Sequence, residues 1–337
     1  MTLLFFDGFQ DAATVTKTEW GGSTGTSVTG RDGSTNGAKA GGNGHSSQLA
    51  LPSAAATCIV GQAVNPSAVS QTLLSFLISG TVHLVIWLNA DGYIEARKTS
   101  TSGTIIATST YRITTFPRWT HLQAKAVIHS TSGSLVVQAD GVEIINVSGV
   151  STGTASGSVT HIQHNTNNGG VQFDDLYVCD GVDATATQGR ANNDFLGDLK
   201  VATLIPTANG DLTAWSKSTG TNAAALVDEI PPNTTDYIFS STSGQRELMT
   251  LPDLPSSAGA VYGLRIGIYG LKSDAGASSV KPLIKESGGT ITAQTAKALS
   301  TTAGGYYGDF LFTKPSAPTT PFTASDVNAL QAGVELA

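Results

Sequence analysis

The chain is 337 residues long, and its formal net charge of −7, with 25 acidic against 18 basic residues, leaves no basic field for nucleic acid or an anionic membrane surface. Its length suits two domains that each bury a core, while 13% charged residues and 38 glycines suit sheets joined by short turns, so helix should be scarce. Two cysteines, Cys58 and Cys179, exclude a disulfide-rich scaffold and a four-cysteine zinc site, and both fall in strand-like runs where a buried free thiol is the default.

The apolar opening stops at Asp7 without a basic flank, too short for a signal sequence or a membrane span, so synthesis and maturation in the cytoplasm are expected, without membrane insertion. A tract rich in Gly, Ser and Thr then runs to about Ser47 and reads as loops with short strands. Strands are expected over 57–64 and 73–80. Val82, Leu84, Ile86 and Leu88 share one face ahead of a turn at Asn89 to Gly92, and another strand covers 105–113. Residues 118–147 form the clearest pattern. Leu122, Ala124, Ala126 and Ile128 alternate with His121, Gln123 and Lys125; Ser130 to Gly133 turns; Leu135, Val137 and Ala139 resume the alternation up to Asp140-Gly141, a dipeptide suited to a tight hairpin. This is a β-meander. Strands over 158–164 and 171–178 close the first half.

The order of these features, with Asp7-Gly8-Phe9 at the start, a hairpin at Asp91-Gly92-Tyr93, the Trp119-Thr120-His121-Leu122 strand, the Asp140-Gly141 meander and a closing Phe173-Asp174-Asp175-Leu176-Tyr177-Val178 strand, resembles a laminin-G-like or concanavalin-A-like jelly roll over residues 1–182. The resemblance implies a concave sheet that in many relatives binds carbohydrate. Trp87 and His83, opposite Leu84 and Ile86, and Tyr93 past the turn are the residues here that could stack on and bond to a sugar, against the competing reading that they pack the sandwich. Several relatives also hold calcium at the sandwich rim through Asp side chains, which makes Asp7 and Asp174, with Asp11 and Asp175, the candidate ligands. The competing reading is that Asp7 caps the turn at Gly8, while one of the Asp174-Asp175 pair accepts a backbone hydrogen bond and the other is solvated. No other cofactor is expected.

A boundary near Asp183 opens a second β-rich domain over 183–337. Leu199, Val201 and Ile205 alternate as a strand ending at Pro206, Asn209-Gly210-Asp211 reads as a turn, and strands follow over 236–240, 245–251, 261–271, 282–286 and 306–313. Near the end, Thr323 and Asp326 stand at capping-box spacing, Val327, Leu330 and Val334 share a helical face, and Gly333 suits a helix stop. The expected fold class is all-β: two β-sandwich domains, the first a concanavalin-A-like jelly roll, with a short C-terminal helix.

Three stretches of this half, N-D-F-L-G-D-L-K-V-A-T-L-I-P-T from Asn193, V-D-E-I-P-P-N-T-T-D-Y-I from Val227 and P-F-T-A-S-D-V-N-A-L-Q-A-G-V from Pro321, resemble the C-terminal half of bacteriophage virion proteins, tail-associated or minor structural components that pair it with a jelly roll in this order. The resemblance implies a place in the virion, other virion proteins as partners, a symmetric homo-oligomer, and a host-surface polysaccharide as the jelly roll's ligand. The alternatives are a capsid or tail decoration protein with no ligand, and a polysaccharide depolymerase.

Catalytic signatures are missing from the sequence. Jelly-roll glycosidases place two carboxylates at alternate positions of one strand face; here Asp174 and Asp175 are consecutive and should face opposite ways, while Glu95 and Glu143 stand alone. There is no G-x-S-x-G, neither cysteine has a neighbouring histidine, and His161 and His164 diverge on a strand. No phosphate-cradling loop occurs. The expectation is a protein that is not an enzyme.

Overall fold

The computed structural model describes residues 2–10, 20–22, 26–33, 37–39, 46–165, 170–230, 232–302 and 304–337. The chain divides into two compact units, residues 1–186 with 190–201, and residues 187–189 with 202–337.

The first unit contains strands β1 Leu3–Asp7, β2 Trp20–Gly22, β3 Thr26–Val28, β4 Gly37–Lys39, β5 Ser46–Ala55, β6 Cys58–Pro66, β7 Gln71–Ile78, β8 Thr81–Leu88, β9 Tyr93–Lys98, β10 Ile105–Arg112, β11 Thr120–Val127, β12 Gly133–Ala139, β13 Val142–Val150, β14 Val159–Asn165 and β15 Val171–Cys179. They form an eight-stranded sheet ordered β13-β12-β11-β6-β15-β4-β3, with β1 also on β15, and a seven-stranded sheet ordered β10-β9-β8-β7-β14-β5-β2. All pairings are antiparallel. This is the jelly roll.

Alternation sets the two faces of each sheet. Leu84, Ile86, Leu88 and Ile94 from the seven-stranded sheet, and Val60, Leu122, Ala124, Ala126, Leu135 and Val137 from the eight-stranded one, are each at most 1% exposed and form the shared core. Burying a large apolar side chain of this kind contributes about 2 kcal/mol. The sheets are also tied by polar contacts: Gln62 on β6 donates from Nε2 to the Leu73 carbonyl of β7 and lies 2.7 Å through Oε1 from Nε2 of His164 on β14. The expected turns are present. Asn89 Oδ1 accepts the N–H groups of Asp91 and Tyr93 with Gly92 at φ +86°, and Asp140 and Gly141 both take positive φ, as a type I′ hairpin turn requires. Cys58 and Cys179 are buried free thiols.

In the second unit, β16 Ala208–Thr213, β17 Ser216–Lys217, β18 Ile238–Phe239, β19 Arg246–Thr250, β20 Leu264–Gly270, β21 Ser279–Lys285, β22 Ile291–Ala293, β23 Lys297–Ala298, β24 Gly305–Leu311 and β25 Gln331–Leu336 follow. Six make a sheet ordered β16-β19-β25-β21-β22, with β23 on β21; β17 pairs β18 and β20 pairs β24. Buried Ile284, Phe322, Val327 and Leu330 pack with Leu264, Ile266 and Leu311, which brings the β20–β24 ladder against the sheet.

Four expectations for this half are corrected. The helix is only Ala324–Asn328: its Thr323 cap and Asp326 capping box are as read, but the chain then turns into β25, the strand between β19 and β21. Gly333 does not stop a helix; a Cβ there would lie 1.9 Å from the Glu247 carbonyl oxygen of β19, so glycine is what lets these strands approach. Residues 199–206 hold no strand; Val201 N–H is spent on the Asp175 carboxylate and not on a strand edge. Asn209-Gly210-Asp211 lies within β16, at a register irregularity, and is not a turn between strands.

Candidate functional site

The outward face of the seven-stranded sheet carries the sugar-site candidates. Trp87 on β8 lies opposite Glu95 on β9 and Thr72 on β7, and Tyr93 is two residues from Glu95 on the same side. Trp87 and Tyr93 remain part-exposed. Glu95 has no carboxylate partner among the described residues but is held in place: one oxygen accepts Asn89 Nδ2 at 2.7 Å and the other accepts Arg97 Nε at 2.6 Å. The Arg97 guanidinium also reaches the Thr101 carbonyl at 2.7 Å. One face of the Tyr93 ring is taken, because the Arg112 guanidinium sits 5.7 Å from its centroid. The structure therefore brings Trp87 and Tyr93 to one face, beside a hydrogen-bonded Asn89–Glu95–Arg97 network.

Beside them, Ser75 on β7 faces Val85 on one side and Gln163 of β14 on the other. Ser75 is fully buried and Gln163 is 7% exposed, yet Ser75 Oγ and Gln163 Oε1 have no hydrogen-bond partner among the described residues. Buried polar atoms left unpaired cost free energy, and such atoms mark places where a ligand or water completes the bonding.

His83 has a different surrounding. It is 4% exposed and packs under the segment joining β13 to β14, with Nδ1 3.3 Å from the donating Thr154 N–H and 3.2 Å from its hydroxyl. Burial lowers its pKa, so the ring is neutral at pH 7.

The rim carboxylates are each occupied. Asp7 accepts the Phe9 N–H at 2.8 Å and Trp20 Nε1 at 3.3 Å, as the turn-capping reading of this residue requires. Asp174 accepts the Arg31 N–H and the Asp175 N–H, both at 2.8 Å. Asp11 lies outside the described residues. Among the described residues, no group of three or more His, Cys, Asp or Glu side chains converges as a metal site would need.

Asp174 and Asp175 do not face opposite ways. A bulge between Asp174 and Tyr177, with Asp175 at φ +51°, turns both toward Arg31. Asp174 takes the Arg31 N–H, and Asp175 lies 3.6 Å from the Arg31 guanidinium. Nor is either solvated: both are 6% exposed, and Asp175 accepts the Val201 N–H at 2.7 Å. Burial first, then the Asp174 charge, pushes the Asp175 carboxyl up to about 7. Arg31 offsets little of this because both of its terminal nitrogens are committed to Asp198.

Asp198 belongs to a segment, residues 190–201, that crosses the outward face of the eight-stranded sheet. Tyr177 on β15 donates its hydroxyl to Gln123 Oε1 on β11 at 2.5 Å; Leu196 N–H donates back to the Tyr177 oxygen and Gly197 N–H to Gln123 Oε1, both at 3.0 Å. Sequence reading missed this seat. Its only signal was that His121, Gln123 and Lys125 present a polar face whose amide a backbone can use.

No protein-family profile matches the sequence, and no curated protein matches it. Among solved structures, domain 4 of AbnA, an extracellular arabinanase of Geobacillus stearothermophilus in complex with arabinotriose, is 16% identical, with 52% of this chain and 91% of that chain covered and a TM-score of 0.37. The carbohydrate-binding module CBM66 of Bacillus subtilis is 13% identical, with 49% and 97% covered and a TM-score of 0.35. The carbohydrate recognition domain of Emp46p, in a potassium-bound form, is 12% identical, with 50% and 94% covered and a TM-score of 0.35. These similar structures are sugar-binding or lectin-like domains, and at such scores they carry no argument about this chain's ligand.

Proposed function

We propose that the protein is a structural component of a tailed-bacteriophage particle, tail- or fibre-associated, whose first unit binds a host-surface glycan on the outward face of its seven-stranded sheet and catalyses nothing. The observation that carries the glycan reading is the part-exposed Trp87 over a bonded Asn89–Glu95–Arg97 network, beside the buried, unpartnered Ser75 Oγ and Gln163 Oε1. An indole offers a flat apolar surface to a pyranose face, and the flanking amide, hydroxyl and charged groups suit its hydroxyls. The particle role is supported by the resemblance of the stretches from Asn193, Val227 and Pro321 to virion proteins. Several copies in a symmetric assembly would turn a weak single-site affinity into useful avidity.

Purified protein is expected to bind host cells in competition with host polysaccharide, and Trp87→Ala is expected to weaken single-site binding by about tenfold, roughly 1.4 kcal/mol. Undiminished binding by that variant removes this face from the reading. Gold-labelled antibody on intact particles tests the location, with label at the tail or fibres expected and no label anywhere counting against a virion role. Because Asp7 and Asp174 already accept protein N–H groups, stripping divalent metal with EDTA is expected to leave glycan binding unchanged; a loss of binding on chelation would restore the calcium reading.

A further inference from the structure

The segment 190–201 does more than cover the eight-stranded sheet. Between it and the β12–β13 hairpin tip lies a cleft of about 440 Å³, at the smaller end of the range for small-ligand sites. Its floor is His121, Gln123 and Gln138, and Phe195 and Gly197 contribute to its segment side. Gln123 is engaged at both its oxygen and its nitrogen, with Oε1 receiving Tyr177 and Gly197 and Nε2 donating to Gln138 Oε1 at 3.1 Å.

His121 is not so engaged. It is 4% exposed, and among the described residues Nε2 has no hydrogen-bond partner, the nearest carboxylate being Asp198 at 4.0 Å. Burial, against the pull of Asp198, lowers its pKa and keeps the imidazole neutral at pH 7. The carboxylates around the cleft are each matched by a base: Asp140 with Arg118 at 3.0 Å, Asp194 with Lys125 at 3.4 Å, and Asp198 with Arg31. An anion would meet three carboxylates, and a cation would have to displace a base already in place. What suits the cleft is a neutral group that donates and accepts, set against the Phe195 ring.

From this geometry we infer that the cleft over His121, Gln138 and Phe195 is a second ligand site, taking one neutral, hydroxyl-rich ring of pyranose size. It lies on the opposite sheet from Trp87 and does not depend on that face binding anything. Adjacent ring hydroxyls bridge His121 Nε2 and the Gln138 amide, and the ring's C–H face rests on Phe195.

The test uses the full chain labelled with carbon-13 at histidine Cε1, titrated with methyl pyranosides of glucose, galactose, mannose and N-acetylglucosamine and followed by NMR. At least one probe is expected to shift the His121 signal saturably. That response should persist in Trp87→Ala and weaken about tenfold, the equivalent of one good hydrogen bond, in Gln138→Leu and in Phe195→Ala. No saturable His121 shift with any probe overturns the inference, as does an undiminished response in both cleft variants. Loss of the response in Trp87→Ala also overturns it, since the sugar then sits on the other sheet. Cell binding that is lost in Trp87→Ala and kept in Gln138→Leu, with His121 unmoved, leaves the first reading standing and removes this one.

Discussion

Two buried titrating groups in the first unit oppose each other across the acidic range. His164 is 2% exposed, stacked on Phe173 at 3.9 Å, and burial depresses it to about 3. The unfolded chain protonates it near ~6.5, so His164 makes no difference to the pH dependence above that value and costs stability as pH falls below it. Asp175, raised to about 7, does the reverse: between its unfolded value near ~4 and about 7 the folded state holds the extra proton, so stability rises as pH falls. His83 and His121 add to the first trend and Asp174 to the second. The His164 and Asp175 contributions should therefore largely offset each other between about pH 4.5 and 6.5. Asp175→Asn keeps an acceptor for Val201 but removes the compensation. It is expected to be more stable than wild type at pH 8, and to lose stability by about 1.4 kcal/mol per pH unit more steeply than wild type below pH ~6. Urea unfolding at several pH values checks this, and parallel pH curves for the two proteins would show that Asp175 carries no such load.

Among the elements, the C-terminal strand matters more to the second unit than the helix that precedes it. Removing the Thr323 cap by Thr323→Ala loses the hydroxyl's bonds to the Asp326 N–H and carboxylate at an exposed helix end and should cost about 1 kcal/mol. Gly333→Val places a Cβ against the Glu247 carbonyl in the middle of the β19–β25–β21 sheet, and should cost well over ~2 kcal/mol because backbone, not a flexible side chain, has to move. Denaturant melts of the two variants rank them; a smaller loss from Gly333→Val than from Thr323→Ala would mean β25 is not held as closely as its register implies. Glu247 and Glu335 add to the tightness of these strands, the first fully buried and 2.9 Å from Lys217, the second bonded to Arg246 and Lys281.

Across the whole molecule, the segment 190–201 decides where the first unit ends. A chain truncated after Val201 keeps Leu196, Gly197 and Val201 as donors to Tyr177, Gln123 and Asp175; one truncated after Val182 leaves those three acceptors without them. At about 1 kcal/mol for each hydrogen bond, the longer fragment should be roughly 3 kcal/mol more stable to urea. Equal stability would mean that the segment rests on the sheet without holding it.

The sequence by itself determined the sheets of the first unit, because a half-buried strand writes its inward face at every second position: Leu122, Ala124 and Ala126 on β11 and Leu84, Ile86 and Leu88 on β8 needed no partner to be legible. It also determined the hairpin turns and the Thr323 cap, whose chemistry is local. Only the tertiary structure decided that Asp174 and Asp175 share a side, since a bulge breaks the alternation on which the sequence argument rests. It alone turned Gln331–Leu336 into a central strand, because Val327, Leu330 and Val334 fit a helical period equally well until β19 and β21 flank them. The seat of residues 190–201 was illegible for the same reason. Its stability comes from backbone N–H groups meeting Tyr177, Gln123 and Asp175 side chains 19, 74 and 26 residues away, and such bonds leave no periodic trace in the chain that makes them.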